Sequence, residues 1–97
     1  MASTNEYLKY VSEDLLSGLN VSHKKMMGEF LLYSDGTLFG GIYDDRFLIK
    51  QTPFAKSAGL KEETPYKGAK PMLAVDTDDS EKAKTLVLKT VEYLRKN

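Results

Sequence analysis

The sequence predicts a two-layer α+β fold, an antiparallel β-meander packed with N- and C-terminal helices in the order α-β4-α-β-α. Three observations predict it. Residues 24–50 read KKMMGEFLLYSDGTLFGGIYDDRFLIK, short apolar runs cut at close intervals by Gly28, Asp35-Gly36 and Asp44-Asp45. On either side of that stretch, apolar residues recur at helical intervals. At 97 residues the chain has the length of one domain, spanning 1–97.

The first helix is expected over residues 4–17. Ser3 and Glu6 have capping-box spacing, Leu8, Val11, Leu15, Leu16 and Leu19 form the apolar stripe, and Gly18 closes the element. In the meander, Asp35-Gly36 is the strongest hairpin signal, because a type I′ turn needs positive φ at both central residues. Asp44-Asp45 is a weaker version. Gly28-Glu29 reads either as a type II′ turn or as a bulge at Gly28, with a turn or sharp bend favoured.

Those turns set a register. Tyr33 pairs with Leu38, Leu31 with Gly40, Tyr43 with Arg46, and Ile42 with Phe47. One face then carries Leu31, Tyr33, Leu38, Ile42, Phe47 and Ile49. The other carries Phe30, Leu32, Phe39, Tyr43 and Leu48, with Arg46 and Lys50 beside them. A half-exposed antiparallel sheet alternates apolar with polar residues. This ribbon reads as apolar on both sides, and each side needs a cover.

Thr52-Pro53 pairs an N-cap with proline at the first helical position, which starts a short helix over 53–58 that ends at Gly59. Residues 60–70 read as a polar loop and 71–75 as a short strand. Asp78 or Ser80 caps the last helix, with Asp78 and Glu81 at capping-box spacing. Its stripe is Ala83, Leu86, Val87, Thr90, Val91 and Leu94. Lys89, Arg95 and Lys96 sit near its C-terminus, where the helix dipole favours positive charge.

Composition excludes several kinds of chemistry. Fourteen basic and fourteen acidic side chains cancel, so no global field draws the chain to nucleic acid or to an anionic membrane. The chain has no cysteine, hence no disulfide, no thiolate nucleophile and no Cys-ligated metal. No apolar run approaches the ~20 residues that span a bilayer, and no secretory leader pattern opens the sequence. Location in the cytoplasm and no membrane partner are the expectation.

Each candidate site has an ordinary explanation. His23 is the only histidine and reads as a surface or structural residue. The run Asp76-Thr77-Asp78-Asp79-Ser80-Glu81 opens like a calcium loop. It then lacks the glycine at the sixth position and the glutamate at the twelfth that such a loop needs, so helix capping explains it better. Asp44-Asp45 reads as a turn rather than an acid–base pair. Gly40-Gly41 is no phosphate loop; glycine inside a strand more often marks a bulge or a close approach by another group, and Gly41 leaves a gap among large side chains that packing or a ligand fills. Lys25, Arg46 and Lys50 near that gap are candidate contacts for an anion. With Lys24, Phe39 and Tyr43 they also carry the ingredients of single-strand binding, although a lysine-guarded sheet edge is the plainer reading. No catalytic residue, cofactor or metal ligand is expected, and an enzyme is not.

Phe30, Leu32, Phe39, Tyr43 and Leu48 would form a larger apolar patch than monomers usually expose. They are therefore the expected face for a homodimer or for an unidentified protein partner, with the 60–70 loop as a further contact surface, unless the terminal helices split between the two faces.

The order and spacing of these residues also resemble a known family. Lys25-Met26-Met27-Gly28, Tyr33, Asp35-Gly36, Phe39, Asp44-Asp45 and Phe47-Leu48-Ile49-Lys50 resemble the N-terminal domain of TfoX, and Pro65-Tyr66 and Lys70-Pro71-Met72 also fit. The likeness covers residues 8–94. Two positions depart from it: Met27 stands where the family often has Phe, and Glu29 where it often has a second Gly. The resemblance implies a two-layer α+β fold related to secretion chaperones, frequent dimerisation, and a link to regulation of DNA-uptake competence genes. Full-length members carry a separate C-terminal domain of helix-hairpin-helix character. The matching residues here belong to the N-terminal domain alone, so direct DNA binding is not expected. The family supplies no catalytic residues. A non-enzymatic regulatory module that works through protein contacts as a homodimer is the expectation, with a small-anion or nucleic-acid binding module as the alternative.

Overall fold

The computed structural model describes residues 3–96. The elements are α1 (Asn5–Lys9), which continues as a π-helix (Tyr10–Leu15), then β1 (Val21–Met26), β2 (Glu29–Ser34), β3 (Thr37–Ile42) and β4 (Phe47–Ile49). They are followed by α2 (Pro53–Ser57), β5 (Glu62–Glu63), β6 (Met72–Ala74) and α3 (Ser80–Lys96). The strands form one six-stranded sheet in the order β1-β2-β3-β4-β6-β5, antiparallel at every pairing. This is the expected α+β architecture with one strand more. β5 lies in the expected polar loop. Two glutamates carry no hydrophobic alternation, and their pairing with Leu73 and Met72 is supplied by β6.

The three meander turns share one conformation. Met27-Gly28 (φ 51° and 86°), Asp35-Gly36 (48° and 85°) and Asp44-Asp45 (54° and 54°) place both central residues in the left-handed region. That is the type I′ turn, whose twist matches the strands it joins. The first turn is therefore centred one residue earlier than Gly28-Glu29.

The pairing corrects the expected division of the faces. Tyr33 opposes Leu38, and Ile42 opposes Phe47, as expected, but Leu31 opposes Gly41 rather than Gly40. Leu32 opposes Gly40, which leaves Phe39 as a bulged residue. One extra residue reverses the parity of everything beyond it. Ile42, Phe47 and Ile49 therefore move to the side of Phe30, Leu32 and Phe39. All six are buried in one core with Leu73 and Val75, under Leu8, Val11, Leu15 and Leu16 of the first helix and Leu86 and Val87 of α3. Full burial of each large side chain stabilises the fold by roughly 1.5–3 kcal/mol. The ribbon has one strongly apolar face, and the helices cover it.

Gly40 makes the bulge possible. A Cβ there would strike the Leu48 carbonyl oxygen and lie 3.0 Å from Ile49 Cα. The residue is glycine because backbone approaches backbone at that point.

The helix ends differ in detail from the expected caps. Thr4, not Ser3, caps α1, its Oγ1 accepting from Tyr7 N–H at 3.2 Å. Asp79 caps α3, its carboxylate accepting from Lys82 N–H at 3.1 Å. Ser80 turns to the neighbouring helix and donates to the Leu15 carbonyl at 2.7 Å. Thr52 caps α2 as expected, accepting from Ala55 N–H.

Candidate functional site

With the helices on one face, the other face of the sheet presents Leu31, Tyr33, Leu38, Gly41, Leu48 and Ala74. It is not bare. The chain between β5 and β6 folds back over part of it, and Leu48 beneath is fully buried. Between this loop and the sheet lies a cleft of about 610 Å³. Leu31, Leu38, Tyr43 and Met72 line it from the sheet, and Pro65 and Tyr66 from the loop. Volumes of 300–1,000 Å³ are usual for small-ligand pockets.

Arg46 builds the wall. Its Nε donates to Tyr43 O at 3.1 Å, its Nη1 pairs with Glu63 Oε1 at 2.8 Å, and its Nη2 reaches the carbonyls of Thr64 (3.3 Å) and Pro65 (3.2 Å). One planar guanidinium thus ties the β3–β4 turn to the start of the loop. Its five donors in a fixed fork suit this task, and a lysine could not repeat it. At the other end of the loop, Gln51 Nε2 donates to Pro71 O at 3.1 Å.

Tyr43 shapes the floor. Its ring passes over Gly41, where an added Cβ would lie 2.7 Å from both the ring and Phe30 O. The gap expected at Gly41 is therefore filled by the chain's own tyrosine, and the open space lies beside it, toward the loop. The Tyr43 and Tyr66 rings stand 6.2 Å apart at 50°. Burial pushes the Tyr43 phenol above its ordinary value of 10.0, and the neighbouring Tyr66, Glu29 and Tyr33 add to the shift.

The charged lining is one-signed. Among the described residues, Lys50 and Lys70 line the cleft and no carboxylate does. Lys50 is half-buried there and Lys70 exposed.

The structure separates the residues expected to act together. Phe30, Leu32 and Phe39, expected on a partner face, are core residues at 3%, 0% and 0% exposure. Only Tyr43 and Leu48 of that set belong to the helix-free face, and both are buried. Among the expected anion contacts, Lys25 opposes Phe30 at the outer edge of the sheet and so projects toward the helix side. Arg46 is engaged with the loop, Gly41 is covered, and Lys50 alone lines the cleft. Tyr66, Lys70 and Met72 stand out in the sequence only as part of the 60–70 loop, the 71–75 strand and the family resemblance, and the cleft they line depends on the loop folding back onto the sheet.

Glu29, one of the two departures from the TfoX pattern, has a structural task. Its carboxylate accepts from Ser3 N–H (3.1 Å), Ser3 Oγ (2.5 Å) and Asp44 N–H (3.1 Å). Asp45 accepts from Thr4 N–H at 2.8 Å. Together they pin the start of α1 to the β3–β4 turn.

Among the described residues, no group of three or more His, Cys, Asp or Glu side chains is placed to hold a metal ion. Among the same residues, no helix is long and apolar enough to cross a membrane. No protein-family model matches the chain, and no curated protein matches it.

Proposed function

We propose that this protein is a non-enzymatic regulatory module that binds its partners through the helix-free face of its sheet, in the manner expected of a TfoX N-terminal-like domain. The observation that carries the reading is the one-sided distribution of the helices. They cover one face of the sheet and leave on the other a concave, largely apolar surface, which the sheet and the 60–70 loop build jointly. A surface of this kind suits recognition. Nothing in it arranges a nucleophile beside a base.

A second copy of the chain is the proposed partner, with Leu31, Leu38, Tyr66 and Met72 at the contact. The relation to secretion-chaperone folds and to regulation of competence genes belongs to the same proposal and rests on the resemblance of the sequence. Light scattering on the protein at micromolar concentration tests self-association. The mass of two chains is expected for the wild type and of one for Leu38→Asp. A single-chain mass for the wild type would remove the homodimer, and a two-chain mass for both proteins would move the contact elsewhere.

A second reading, a module for small anionic ligands, is favoured by one observation: among the described residues, Lys50 and Lys70 are the only charged side chains lining the cleft. The geometry gives a basic nucleic-acid edge less support, since Lys25, Arg46 and Lys50 are on different faces or otherwise engaged.

A further inference from the structure

We infer that the cleft takes a small amphipathic anion, an apolar body with a single carboxylate or phosphate head. The inference deepens the anion-binding reading and rests on the cleft being a binding site. Two independent features of the cleft specify the two halves of such a ligand. The trough between Leu38 and Met72 on the sheet and Tyr66 on the loop offers apolar surface, and Tyr66 is 57% exposed there. An apolar ligand body removes that surface from water.

The head is specified by charge. Neither the Lys50 nor the Lys70 ammonium is paired with a carboxylate among the described residues. Lys50 lines the cleft as a half-buried residue and Lys70 as an exposed one. A cation or a zwitterion would meet two positive charges with no compensating acid. A bare inorganic anion would leave the apolar trough in water.

Titration followed by amide chemical shifts tests this with octanoate, octyl phosphate, octanol and inorganic phosphate as probes. Octanoate or octyl phosphate should move the amides of Leu31, Leu38, Lys50, Tyr66 and Met72. Octanol should bind about tenfold more weakly, since it lacks the charge-assisted hydrogen bonds. Inorganic phosphate alone should leave the same amides unmoved. The relative strength of the carboxylate and phosphate probes assigns the head group. In Lys50→Gln/Lys70→Gln, whose unperturbed spectrum would certify the fold, octanoate should weaken to the level of octanol. Equal binding of octanoate and octanol to the wild type would overturn the anionic head and leave the cleft as an apolar site. Shifts outside the cleft, or none, would overturn the ligand altogether. Leu31, Leu38, Tyr66 and Met72 also form the proposed homodimer contact, so the titration is run at a concentration where scattering gives the single-chain mass, and scattering on ligand-free protein decides the protein-contact reading separately.

Discussion

Three side chains on this molecule, Met27, Tyr7 and Tyr43, carry measurable consequences. Met27 is 97% exposed and sits at φ 51°, a conformation that costs an ordinary L-residue about 1–2 kcal/mol and that asparagine tolerates. Met27→Asn restores the Asn-Gly pair preferred in type I′ turns, and chemical denaturation should show a gain of about 1 kcal/mol. Retaining methionine at this position has no structural explanation in the turn itself. Tyr7 and Tyr43 set the response to alkali. Burial, the largest cause at both, raises their phenols above 10.0. The folded chain then holds protons that the unfolded chain releases. Their contribution to stability is fully present below pH 10.0 and is lost as the pH rises through the folded values. Melting temperatures should fall above that pH, and the double variant Tyr7→Phe/Tyr43→Phe should show a shallower fall. An identical slope in the variant would assign the alkaline loss to other groups.

The loop of residues 64–71 and the bulge in β3 are the elements that make the cleft. The loop holds little regular structure, and its position depends on Arg46 at one end and Gln51 at the other. Arg46→Ala removes four hydrogen bonds at once and leaves Glu63 and two carbonyls to water. The sheet does not depend on them, so the variant should fold. Hydrogen exchange should accelerate at Ala69, whose amide bonds to Tyr66 O, while β2 and β3 amides remain protected. Arg46→Lys should resemble Arg46→Ala, because a point charge cannot span the same acceptors. Unchanged exchange at Ala69 in both would show that the loop is held by its apolar contacts alone. The bulge acts in a different way. By leaving Phe39 unpaired it reverses the alternation of β3 and β4 and collects the large side chains on one face.

At the scale of the whole molecule, that reversal separates stability from association. Phe39 is part of the core, so Phe39→Asp places an unpaired carboxylate under the helices and should unfold the protein, a loss beyond about 3 kcal/mol. Leu38, its neighbour in sequence, is only half-buried and lies on the opposite face, so Leu38→Asp should keep a folded circular-dichroism spectrum. If both variants fold equally well, the division of faces is wrong. A sheet with one face under helices and the other shaped by a single loop is a stable platform whose recognition surface can change with little effect on its core.

Local chemistry was enough to announce the hairpin turns, the short helix after Thr52, the apolar stripe of the last helix and the α+β class. Each depends on residues within a few positions of one another: Asp-Gly at a turn, Thr-Pro at a cap, a repeat near 3.6. The partition of the faces was beyond such reasoning, because Gly40 leaves room for a bulge but residue types do not say that Phe39 goes unpaired and inverts the parity of a whole hairpin. The same holds for the π-helical step at Tyr10–Leu15, since apolar spacing does not record which carbonyl an amide chooses. The cleft, too, was settled by packing. Arg46 and Lys50 were visible as cations near a glycine, but only the folded chain spends one on holding the loop and leaves the other facing the groove. Side-chain partners separated by many residues are decided by where the backbone returns, and that is a property of the assembled sheet.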